Sequence, residues 1–389
     1  MVEITARQPA RVAERHEAEQ EIRVVHVAPT PFGPAGIFGG GERYPLELAR
    51  AIARHVDCEL VTFGAPAAIR EPTGLRVRVL RPVARLRHPA HPIAPELPAA
   101  LARADVVHTH HTRSSPSRIA ALVARARGRA AVTTDHGLPG GTWGGGLLAL
   151  FQRFLMVSEY SARELEAPPS RTRVIYGGVD GRRFHPDPEA LRRGVLFVGR
   201  VTPHKGVDRL IRALPAGAEL TVAGTAGHDP ELPERDYPGL LRRLANGRSV
   251  RFLDAVPDDA LPSLFRHAAV LALPSVDHTC YGRHIGIVEL LGLVVLEAMA
   301  SGTPVVCSRI GGLPEIVQDG ATGLLVEPGD VDALRDALDR VLGDRALAER
   351  LGRNAREAAL ERFTWDACAV RCLTAYEEIL ASGQRTAAR

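Results

Sequence analysis

Aromatic side chains make up only 5% of this 389-residue chain, and its five cysteines include no CxxC pair. An odd set of scattered thiols (Cys58, Cys280, Cys307, Cys368, Cys372) argues against a disulfide framework or a structural zinc site, and it fits a reducing cytoplasm. No apolar stretch reaches the roughly 20 residues of a membrane-spanning helix, because Glu289 and Glu297 interrupt the best one. No Lys/Arg block with interleaved aromatics is present, so nucleic acid is not indicated as a partner. The net charge of +4 is spread along the chain and suits attraction of an anionic small molecule. GxSxG, HExxH, phosphate-loop and kinase signatures are missing. Residues 1–20 carry Arg, Glu and Gln without an apolar centre; they read as disordered and not as a signal peptide.

What remains is a soluble globular composition, 45% hydrophobic and 24% charged, too long for one ordinary core. Strand-like segments at 22–28, 58–63, 75–80, 105–110 and 131–136 alternate with helical ones at 42–54 and 116–127. The pattern restarts at 195–200 and continues through strands at 219–223, 250–253, 269–274 and 303–307, with a last helix at about 365–381. Alternation of this kind predicts an α/β fold with two doubly wound, Rossmann-like domains facing a cleft. The expected units are 21–187, 188–364 and a terminal segment 365–389, with 181–193 as a polar linker.

The most informative segment is Glu-Leu-Leu-Gly-Leu-Val-Val-Leu-Glu (289–297). A carboxylate in so apolar a run is costly without a partner. In a continuous helix the two glutamates would sit about 12 Å apart and point roughly 80° away from each other. Gly292 suggests instead that Glu289 lies in a loop and that the helix starts near Leu293. The free N–H groups of Leu293 and Val294 would then face a phosphate, with Glu297 toward a ribose and Glu289 toward a sugar. The alternative is a core helix whose glutamates sit in buried ion pairs.

Other candidates follow predicted strands, at the edge where open parallel sheets bind ligands. Gly-Gly-Gly-Glu-Arg (39–43) permits close backbone approach at Gly40 and Gly41, or is a flexible turn. Arg200 and Lys205 suit a diphosphate, one as a fork and one as a point charge. In His-Thr-His-His (108–111), His108 and His110 share a face. His108 reads as structural and His110 as a sugar contact; a metal-binding HxH is the weaker alternative. Asp135, His136 and Trp143 are candidates for the acceptor side. Asp330 and Asp332 read as a helix cap, so no metal requirement is inferred.

Taken together, 289–306, Val-Gly-Arg with His-Lys-Gly (198–206), 39–43 and Gly-Gly-Val-Asp (177–180) resemble the family-four retaining glycosyltransferases of the GT-B fold. The likeness spans about residues 22–380 and suggests an actinobacterial natural-product enzyme. It implies a nucleoside diphosphate sugar, UDP or GDP, as co-substrate, bound mainly by the C-terminal domain. Glu297 would hold the ribose, Glu289 the sugar, Arg200 and Lys205 the diphosphate, and Gly40 or Gly41 the phosphates. His110 would contact the sugar near O6. It implies an acceptor on the N-terminal domain, and a last helix crossing back to that domain. The loop 277–292 is longer than in the family pattern and carries Arg283 and His284, which points to an unusual donor sugar.

The expected acceptor is a soluble small molecule such as an antibiotic, aminocyclitol or thiol-metabolite precursor. The lack of a basic amphipathic helix near 42–54 and 82–98 argues against a lipid-linked one. A sugar-nucleotide epimerase or sugar phosphorylase on the same scaffold is the competing reading.

Overall fold

A computed structural model describes residues 22–29, 40–85, 91–137, 145–226 and 236–387. The terminal segment 1–20, Gly39 and Trp143 fall outside them. In the first half, β1 (Arg23–Val27) is followed by α1 (Gly40–Ile52), β2 (Asp57–Phe63), β3 (Ala67–Arg70) and β4 (Arg76–Leu80). Next come the two-residue strands β5 (Ala84–Arg85) and β6 (Pro92–Ile93), α2 (Leu97–Ala100), β7 (Val106–His110) and α3 (Ser115–Ala126). This half closes with β8 (Ala130–Thr134), β9 (Arg153–Met156), α4 (Glu159–Glu164) and β10 (Thr172–Val174).

The second half holds β11 (Arg193–Val198), α5 (Val207–Ala213), β12 (Glu219–Ala223), α6 (Tyr237–Ala245), β13 (Ser249–Leu253), α7 (Leu261–His267) and β14 (Ala268–Leu273). It continues with α8 (Leu293–Ala300), β15 (Val305–Ser308), α9 (Leu313–Ile316), β16 (Leu324–Val326), α10 (Val331–Gly343), α11 (Arg345–Arg362) and α12 (Trp365–Ala387).

Two sheets result, ordered β10-β9-β8-β7-β1-β2-β4-β3 and β13-β12-β11-β14-β15-β16. Every pairing in them is parallel except β3 with β4. Central strands such as β7 are buried along their whole length, as parallel strands covered on both faces are, and β7 carries His108 and His110 into that buried layer. β3 (Ala-Ala-Ile-Arg) is exposed throughout, so it has no buried face to announce it in the sequence. The Pro- and His-rich segment 82–98, whose composition reads as a loop, contains β5, β6 and the start of α2.

The halves are joined twice. Phe184 in the segment 181–193 is buried, with its ring 5.8 Å from that of Phe265, so this stretch packs and is more than a polar tether. After α11 the chain returns beside it: Val179 N donates to Phe363 O at 2.9 Å, and Val179 pairs with Thr364. From there α12 packs on α1 of the first half. No helix among the described residues is long and apolar enough to cross a membrane.

Candidate active site

The glutamate segment divides at Gly292. This residue has φ 98°, a conformation that strains any side chain, and a Cβ there would come within 2.6 Å of Leu313. It ends the loop carrying Glu289 and starts α8. Val295 and Leu296 both donate to Gly292 O, which leaves the N–H groups of Leu293 and Val294 as the open donors of the first turn. Gly40, the first residue of α1, lies against that turn: a Cβ on it would stand 3.4 Å from Leu293 Cδ1. Gly40 and Gly41 are therefore the first residues of a helix and not a flexible turn, and the start of α1 in one half meets the start of α8 in the other.

Glu289 is 6% exposed. One of its oxygens, Oε1, accepts from Lys205 Nζ and, at 2.7 Å, from Ser275 Oγ. Burial pushes its carboxyl pKa up, but the Lys205 charge and these bonds outweigh burial and hold it below the ordinary range. Lys205 closes a turn after β11, and Arg200 sits exposed at the start of that loop. Between them His204 is pushed down to about 4, by burial first and then by the fields of Lys205, Arg200 and Arg283. Three cations and one carboxylate therefore surround this corner.

Glu297, 5% exposed, accepts from Arg43 Nη2 through Oε1. Arg43 Nη1 also donates to Asp258 Oδ1 at 2.8 Å, and Asp258 is held in turn by Arg183 at 2.7 Å. Here burial wins: it raises the Glu297 pKa despite the neighbouring guanidinium.

Both glutamates are thus ion-paired within the chain, the arrangement required by the alternative reading of the segment. Their partners nevertheless come from outside the core. Lys205 follows β11, and Arg43 lies in the first turn of α1, beyond the carboxyl end of β1. Arg43 is part of the motif 39–43, but its role was not signalled there. Ser275, Asp258 and Arg183 carry no local signal at all.

Five histidines gather at the carboxyl ends of β1, β7 and β8. His26 is the register partner of His108. His26 Nδ1 lies 3.0 Å from His110 Nε2, and His110 Nδ1 lies 3.2 Å from His136 Nε2. His108 shares hydrogen bonds with Tyr376 Oη at 2.7 Å and Thr134 Oγ1 at 2.8 Å. His111, in the left-handed region at φ 57°, places its ring 5.0 Å from that of His136. Ligating nitrogens of His26, His108 and His110 fall within 4.8 Å of one another, and each ring already hydrogen-bonds a neighbour.

Burial pushes the pKa of His26 down to about 3 and those of His108, His110 and His136 well below the ordinary value. The expected sugar contact, His110, is fully buried with both nitrogens engaged, while His136 is partly exposed in front of it. The strand pattern shows which face a residue takes but not what is stacked over it. His136 is therefore the histidine of this stack that keeps exposed surface.

Asp135 Oδ1 accepts from Gly137 N at 2.9 Å, whereas Oδ2 is buried without a hydrogen-bond partner among the described residues. In the longer loop, His278 and His284 form an antiparallel bridge with rings 4.9 Å apart. Arg209 Nη2 donates to His278 O at 2.8 Å, pinning this small hairpin to α5. Arg283 projects exposed from it.

Comparison with known proteins gives three kinds of match. The family described as glycosyl transferases group 1 matches residues 185–358, and glycosyltransferase family 4 matches residues 38–183. A D-inositol 3-phosphate glycosyltransferase of Acidothermus cellulolyticus is 32% identical over 94% of this chain and 91% of its own. A GDP-mannose-dependent alpha-(1-6)-phosphatidylinositol monomannoside mannosyltransferase of Mycobacterium tuberculosis is 30% identical over 87% and 80%. With several other curated relatives, the chain spans only about half of their length. Among solved structures, sucrose-phosphate synthase from Thermosynechococcus elongatus superposes with a TM-score of 0.72 at 25% identity, covering 93% of this chain and 100% of that one.

Proposed function

The chain belongs to the family-four, group 1 glycosyltransferases of the GT-B fold, and on that footing we propose that it moves a sugar, with retention, from a nucleoside diphosphate sugar to a soluble small-molecule acceptor. The observation that carries the proposal is the junction at Gly292. The Lys205–Glu289 pair lies on one side of it, the open N–H groups of Leu293 and Val294 lie ahead of it, and Gly40 closes over it.

In this reading the diphosphate rests on the start of α8, against Gly40 and Gly41. Glu297 accepts hydrogen bonds from the ribose hydroxyls, and Glu289 accepts from the sugar. The bond between the anomeric carbon and the diphosphate oxygen breaks, and negative charge grows on that oxygen. Arg200, Lys205 and the helix N-terminus stabilise it. An acceptor hydroxyl attacks from the face the diphosphate leaves, and its proton passes to the departing oxygen, so no protein nucleophile is required. His136, with His110 held behind it, faces the transferred sugar. In this reading Asp135 Oδ2 accepts from an acceptor hydroxyl. Arg283 and His284 frame the sugar.

The donor domain spans 188–364 and the acceptor domain 21–187, with 365–389 returning to the latter. UDP and GDP are the favoured bases, and the name of the mycobacterial relative supports GDP. The name of the Acidothermus relative supports a cyclitol phosphate among the acceptor classes, beside natural-product, aminocyclitol and thiol-metabolite precursors.

Thermal-shift measurements with UDP-, GDP-, ADP- and dTDP-sugars identify the donor, because a bound donor stabilises in proportion to occupancy. The stabilising donor is then incubated with cyclitol phosphates and aminocyclitols, and the glycoside's anomeric configuration is read by NMR. No stabilisation by any donor sinks the proposal. An inverted product sinks retention, and turnover of the donor without an acceptor favours an epimerase.

A further inference from the structure

We infer that Arg43, contributed by the first half of the molecule, is the positioning residue that holds Glu297 ready to accept the donor's ribose hydroxyls. The inference rests on the donor reading above and goes beyond it by making donor affinity depend on the opposite domain.

The geometry starts at α1. Gly40 abuts Leu293, which fixes the first turn of α1 against the first turn of α8. Arg43 closes that same turn of α1 and reaches Glu297, 254 residues away in sequence, with a side chain only 13% exposed. The contact uses Glu297 Oε1, and Oε2 has no hydrogen bond among the described residues. The second nitrogen of the guanidinium fork is fixed by Asp258 at 2.8 Å, and Arg183 fixes Asp258. A fork anchored at both ends presents its carboxylate partner in one orientation.

The charged groups around Glu297 are Arg43 and Glu47 of α1, Arg183 of the crossing segment and Asp258 ahead of α7. Two cations face two other carboxylates, so loss of Arg43 leaves Arg183 alone against burial and both carboxylates. Burial already drives Glu297 toward its protonated form, with Arg43 the strongest opposing influence. A vicinal diol offers two O–H donors. An ionised carboxylate accepts from both, whereas a carboxylic acid must donate from one of its own oxygens. Removing Arg43 leaves Glu297 protonated over a wider pH range and weakens the grip on the ribose there.

The test uses the full-length protein and isothermal titration calorimetry with UDP and GDP, which carry the ribose and diphosphate without needing the sugar or acceptor. Wild type, Arg43→Lys, Arg43→Gln and Arg43→Ala are compared from pH 6 to pH 9. Arg43→Lys should follow the wild-type Kd at each pH. Arg43→Gln and Arg43→Ala should bind about tenfold more weakly at pH 6, the difference between charged and neutral hydrogen bonds, and should recover as pH rises. Arg43→Gln fills most of the same space, so it carries the test if Arg43→Ala does not fold. Loss of the same size at every pH, or no loss, overturns the inference while the donor reading stands. Failure of wild type to bind either nucleotide overturns the donor reading itself.

Discussion

Lys205 Nζ donates to Oε1 of Glu289, 84 residues further along the chain, and this pair fixes the loop after β11 against the loop before α8. Lys205 is also the sole lysine of the sequence; the other 48 of its 49 basic residues are arginines. A chain that uses guanidinium groups everywhere else places its single compact, strongly hydrated ammonium beside a buried carboxylate, where a point charge and not a planar fork is needed.

A single lysine makes its surroundings directly measurable. Acylation with an N-hydroxysuccinimide ester should add one Nζ adduct besides the α-amino group, by intact mass. UDP or GDP at about ten times its Kd should slow that adduct roughly tenfold, in line with site occupancy. Equal labelling with and without either nucleotide would place the diphosphate elsewhere.

Lys205→Ala should lower kcat by about 10²–10³, the usual loss for a preorganised group facing developing charge. It should also change how stability responds to pH. In wild type the depressed Glu289 pKa contributes stability above the ordinary carboxylate value of 4.5, which is lost as pH falls through the folded value. Without Lys205, burial drives that pKa above the ordinary value, so the carboxyl favours folding at low pH and opposes it as pH rises. Urea midpoints of variant and wild type should therefore diverge between pH 4 and pH 7, and parallel curves would contradict the assignment.

The buried histidines make the protein acid-sensitive. His26, His108, His110 and His136 have folded pKa values far below 6.5, so the unfolded chain takes up protons first as pH falls. Stability is fully present above pH 6.5 and declines below it, at up to about 1.4 kcal/mol per pH unit for each ring. Chemical denaturation between pH 7 and pH 5 should show this slope, and His26→Asn should flatten it by about one ring's share.

Tyr376→Phe removes the hydroxyl that links α12 to His108. A buried imidazole nitrogen loses its partner, which should cost about 1–3 kcal/mol. Calorimetric Tm should fall, while the Kd for UDP or GDP, which the proposal seats at the start of α8, stays within about twofold.

The sequence made the junction at Gly292 readable because its signals are local. An apolar run bounded by Glu289 and Glu297 and split by Gly292 announces a helix start on its own, and the strand–helix alternation announces parallel sheets. β3, β9, β10 and β16 escaped because they are short or, like β3, exposed on an edge. The Arg43–Glu297 and Ser275–Glu289 contacts depend on how distant loops meet, which no spacing encodes. His26 is a lone polar residue in an apolar strand, and only the β1–β7 register shows what it faces. His110 was placed on the correct edge of the sheet, but the ring stacked over it belongs to the next strand.

Because the chain crosses between its halves at Val179 and again at Thr364, and these crossings are bonded side by side, the seam behaves like a door with both hinges on one post. These bonds oppose slipping of the halves along that line and their drifting apart. Any swing about it would leave the seam intact and change most the contacts farthest from it.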